Sequence, residues 1–130
     1  MHNLAPRGIR GTCVPTSIRF VTGADYIDIE DVLVREQPGN YKPDIKGNLG
    51  VDSRKLLGES RVLFGFKFTK VCLSWPNMSI QKAAMIYSTG TYLVIVPKHM
   101  LVIKDGAVYD LADTNTTRVP ILGMWKVEKN

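Results

Sequence analysis

Two apolar runs, HMLVIK at 99–104 and AVYDL at 107–111, are separated by Asp105-Gly106 alone. An Asp-Gly link between such runs is among the strongest short-range signals for a β-hairpin, because both residues tolerate the positive φ angles of a type I′ turn. The hairpin sets the character of its surroundings. TYLVIV at 91–96 reads as a strand broken by Pro97, and Phe66 to Leu73 alternates apolar and polar residues as a strand does. A last strand is expected around Val119 to Val127. The second half of the chain is therefore expected to be largely β.

The first half reads differently. PTSIRFVT, residues 15–22, can form a short helix, with Pro15 tolerated in its first turn and Gly23 as the stop. Asp25 then caps YIDIEDVLVRE, where Ile29, Val32 and Leu33 make an apolar stripe and the acids cluster early, as the helix dipole favours. Residues 37–50 are dense in Gly, Pro and Asn and read as a loop, long enough for a lid or an interface. Asp52 caps a third helix with Leu56, Leu57, Val62 and Leu63 inward, ending near Gly65, and Ser79 to Tyr87 reads as a further helix. The expected fold class is α+β, N-terminal helices packed on a C-terminal antiparallel β-sheet. Without an internal repeat or low-complexity tract, residues 1–130 are expected to form a single domain.

Composition closes several alternatives. A chain of 130 residues that is 45% hydrophobic and 22% charged is neither disordered nor fibrous, and on folding it can bury roughly two thirds of its unfolded surface. The longest apolar stretch, Tyr92 to Pro97, is too short for a bilayer, and MHNLAPRGIRG holds no apolar signal core, so a cytoplasmic protein without a membrane partner is expected. Two cysteines are too few for a disulfide framework. The net charge of +5 is unevenly spread: residues 61–104 carry six basic side chains and no acid. These are dispersed singly between apolar residues, and no nucleic-acid motif accompanies them. A solvated basic face is expected rather than a nucleic-acid partner.

Three residues can carry chemistry. Cys13 stands in GTCVPTS at the start of a predicted helix, where the dipole and unpaired backbone N–H groups stabilise a thiolate, and Arg10 pushes the same way. His99 opens a hairpin strand, a rim position suited to a general base, and Asp110 lies on the partner strand. With a two-residue turn, Lys104 faces Ala107 and His99 faces Ala112, so Asp110 sits diagonal to His99 on the same face and Asp113 points away. A three-residue turn shifts the register by one and exchanges the two aspartates. An activated thiol, a distant His and an orienting carboxylate follow the logic of nucleophilic catalysis. Each residue also has a plainer reading: Cys13 as a small buried hydrophobe, His99 as a strand-end histidine, Asp110 as the end of a strand. Cys72 alternates into the core of FKFTKVCL and Trp125 packs in the last strand, whereas Trp75 fits either core or groove. No CxxC or HxxxH companion completes a metal site, so neither metal nor cofactor is expected.

A Cys-initiated helix, the Gly23–Tyr26 turn, the pattern HxxxxxDGxxYD from His99 to Asp110, and a closing aromatic strand RVPILGMWKV from Arg118 together resemble the papain-like cysteine peptidase superfamily. The likeness is to its small, mostly phage-encoded members and covers about half of the chain; residues 37–90 match no element of it. It implies a papain-like fold in which Cys13 attacks a carbonyl, His99 takes and returns the proton, Asp110 holds the imidazole, and the Cys13 N–H helps to bind an oxyanion. The implied partner is a protein or peptide substrate, possibly a host protein; the implied function is a cysteine hydrolase. Deamidation or acyl transfer by the same triad, and an inactive papain-like binding or virion protein, remain as alternatives. The sequence departs at one place: the resemblance puts an oxyanion-donating Gln six residues before the nucleophile, and Arg7 stands there, leaving Arg7 or Asn3 as a substitute.

Overall fold

The structure, a computed structural model, describes residues 2–3, 13–42, 47–48, 51–73, 77–97, 99–110 and 120–130. After a two-residue strand β1 (His2–Asn3), α1 (Cys13–Thr22) begins two residues before Pro15, whose missing N–H falls in the first turn, where none has an intrahelical acceptor. α2 (Tyr26–Glu36) buries Ile29 and Leu33, with Val32 partly covered; Asp25 occupies its N-cap position but makes no side-chain cap bond.

The segment read as loop holds a small hairpin, β2 (Tyr41–Lys42) against β3 (Gly47–Asn48). Its base is clamped by the buried Gln37, whose Nε2 donates to the Asp52 carbonyl and whose Oε1 accepts from the Asp52 N–H, both at 2.7 Å. The Tyr41 ring is buried and its hydroxyl donates to Glu30 at 2.6 Å.

Asp52 caps α3 (Ser53–Leu57) as expected, accepting from the Lys55 N–H at 3.1 Å. The helix does not continue to Gly65. It stops at Gly58, and β4 (Ser60–Leu63) turns through Phe64-Gly65 into β5 (Phe66–Lys70). Leu63 is buried, but Val62 is exposed. The turn was hidden because Phe64 takes φ +53°, a left-handed conformation that a bulky side chain rarely adopts and no sequence rule anticipates. Cys72 is exposed rather than inward: β5 ends at Lys70, so the alternation that would bury it is not sustained.

After α4 (Ile80–Ile86), capped by Ser79, come β6 (Thr91–Val96), β7 (His99–Lys104), β8 (Ala107–Asp110) and β9 (Gly123–Lys129). The main sheet has the order β1-β8-β7-β6-β9-β5-β4, antiparallel throughout except where β1 runs parallel to β8. The fold is thus α+β, with a mixed content of helices and a largely antiparallel sheet. The last strand lies a few residues later than expected. α1 and α2 pack on one face through Leu93, Ile95, Met100, Val102 and Trp125, whereas Ile80 and Ala83 of α4 cover Val94, Val96, Leu101 and Ile103 on the other. Burial on both faces explains why β6 reads TYLVIV without polar alternation.

Candidate active site

The Cys13 thiol stands at the first residue of α1, a helix packed against β7 and β6. Only 4% of the residue is exposed. His99 is the first residue of β7, opposite Val96 across the β6–β7 turn. The site lies where the N-terminal end of α1 meets the start of that strand.

Asp110 arrives through the hairpin. Asp105 and Gly106 take φ +50° and +79°, the pair of positive angles that defines a type I′ turn. The register is the two-residue one, Lys104 opposite Ala107 and Val102 opposite Tyr109. Asp110, next along β8, is therefore diagonal to His99 on its side of the strand. Its carboxylate oxygen Oδ1 hydrogen-bonds His99 Nε2 directly. The Asp110 side chain is fully buried and that of His99 is 12% exposed, so this is an ion pair with little solvent screening.

The Cys13 side chain is also within hydrogen-bonding reach of His99. With Nε2 committed to Asp110, Nδ1 is the nitrogen left for the thiol. Burial opposes a charge on the ring, but the hydrogen bonds and Coulombic pull of Asp110 and Cys13 outweigh it and lift the imidazole to about 9. His99 is accordingly protonated at neutral pH.

The structure thus brings Cys13, His99 and Asp110 together. Arg7, Arg10, Trp75 and Asp113 lie outside the described residues, as does the Asn3 side chain, although the Asn3 backbone pairs with Asp110. A residue missed in the sequence is Ser17, 2% exposed, whose Oγ donates to the Met100 carbonyl at 3.4 Å. Its signal was the i, i+4 spacing from Cys13, which puts both on one side of the helix. Among the described residues no cluster of His, Cys, Asp and Glu is arranged to hold a metal ion, and no helix is long and apolar enough to cross a membrane. No family model, curated protein or solved structure matches this chain.

Proposed function

We propose that this chain is a papain-like cysteine hydrolase, of the small phage-encoded kind its motif resembles, acting on an amide bond of a protein or peptide. The observation that carries the reading is the His99 imidazole bridging the Cys13 thiol and the buried Asp110 carboxylate. In the proposed reaction Cys13 and the protonated His99 rest as a thiolate–imidazolium pair, and the sulfur attacks the carbonyl carbon. The tetrahedral oxyanion collapses to a thioester as His99 gives its proton to the departing amine. His99 then takes a proton from water, whose oxygen attacks the thioester, and keeps it as the acid leaves and the sulfur departs as thiolate, which restores the resting pair. Asp110 keeps the ring oriented and stabilises its cation throughout. The first turn of α1 turns backbone N–H groups toward the sulfur end of the site, where an oxyanion develops. A Cys-bearing helix packed on an antiparallel sheet that carries the His supports the papain-like form of the fold.

One observation favours a second reading. Cys13 is 4% exposed and packs with Val14 and Ile18 in the core cluster, as a residue of an inactive scaffold kept for binding would. Alkylation by iodoacetamide against pH, followed by mass spectrometry with Cys72 as internal control, separates the two. A hydrolase labels at Cys13 already at pH 6, and replacing His99 with Ala abolishes that labelling. Slow labelling with the pH profile of Cys72 overturns the hydrolase. Intact-mass analysis of a treated lysate then distinguishes chain cleavage from deamidation, which changes mass without shortening any chain.

A further inference from the structure

Resting on the hydrolase reading, we propose that Ser17 is a positioning residue, whose hydroxyl ties α1 to β7 one residue from His99 and so keeps the Cys13 thiol within reach of the imidazole. Ser17 follows Cys13 by four residues, one helical turn, so the two side chains lie one above the other on the helix. Ser17 is 2% exposed and its Oγ donates to the Met100 carbonyl at 3.4 Å. Met100 adjoins His99, and the described β7–β8 ladder begins only at Val102 opposite Tyr109, so this carbonyl lies beyond it. Packing alone does not call for a hydroxyl here. Val14, Ile18 and Val21 supply the apolar surface of α1, and a buried hydroxyl contributes nothing that an aliphatic group would not unless its hydrogen bond is needed. The bond is long, and its value is geometric: it is a directed contact between the helix, one turn beyond Cys13, and the strand, one residue beyond the base. Sub-ångström placement of reacting groups is where such a contact shows itself in rate.

The test compares Ser17→Thr with Ser17→Val, which share shape and differ only in the hydroxyl. Iodoacetamide labelling of Cys13 is followed from pH 5.5 to 9.5 in wild type, both variants and His99→Ala, with circular dichroism confirming folding. The expected result is that Ser17→Thr keeps the wild-type profile while Ser17→Val loses about tenfold of the labelling rate at pH 6, toward the His99→Ala level. If Ser17→Val does not fold, Ser17→Ala, which adds no atoms, is read in its place. Equal profiles for Thr and Val, whether both fast or both slow, overturn the positioning role. A wild type that His99→Ala leaves unchanged overturns the hydrolase reading itself, a separate outcome.

Discussion

His99 binds its proton more tightly in the folded protein than in the unfolded chain, where it titrates near the ordinary value of 6.5. The stabilisation that comes with its protonation is fully present below about pH 6.5 and is lost as the pH rises through about 9. Urea unfolding at pH 6 and pH 9.5 should show the wild type losing on the order of 2 kcal/mol over this window and His99→Ala losing much less. Asp110→Asn removes the carboxylate, and its His99 should titrate below the wild-type value of about 9, back toward 6.5, as followed by proton NMR of the ring. At Gly123 the constraint is steric. A Cβ there would lie 2.8 Å from the Trp125 ring, which is fully buried and hydrogen-bonded through Nε1 to the Gly58 carbonyl. Gly123→Ala should lower stability by about 1–3 kcal/mol, read from the urea midpoint.

At the level of elements, the segment between α2 and α3 behaves as a closed excursion rather than a free loop. Gln37 satisfies both backbone groups of Asp52, the residue that caps α3, so one side chain links the end of one helix to the start of the next. Arg61 of β4 adds a second tie by pairing with Glu36 and donating to the Leu56 carbonyl at 2.7 Å. The Glu36 carboxyl is held below its usual range, chiefly by its hydrogen bond to Arg61. Gln37→Ala should cost about 1–3 kcal/mol, because it leaves two polar groups without their partner. Hydrogen exchange of the Asp52 amide should accelerate while amides of β6 stay protected.

For the molecule as a whole, β9 is the strand on which the sheet depends. It pairs with β6 on one side and β5 on the other, so among the described strands the β4–β5 hairpin joins the rest of the sheet through it. Removing residues 123–130 should abolish cooperative unfolding altogether, as measured by near-ultraviolet circular dichroism, for Met124 and Trp125 leave the two core clusters at once. Removing residues 1–3, and with them the two-residue edge strand β1, should shift the urea midpoint little.

The local signals of this chain were decisive where neighbouring residues settle the conformation among themselves. Asp105-Gly106 marked the turn, and of the two registers it allows the structure takes the two-residue one, which puts Asp110 rather than Asp113 diagonal to His99. The same holds for the capping residue Asp52, whereas Asp25 stands at its N-cap position without a side-chain cap bond. Tertiary structure decided what depends on distant partners. Phe64 enters a left-handed turn because Leu63 and Phe66 are held in a sheet that β9 completes, and Cys72 is exposed because pairing stops at Lys70. It also brought Cys13 to His99, across 86 positions of chain, through the packing of α1 on β7. Short-range backbone preference sets turns and caps; only burial of a shared apolar surface can choose which helix end meets which strand.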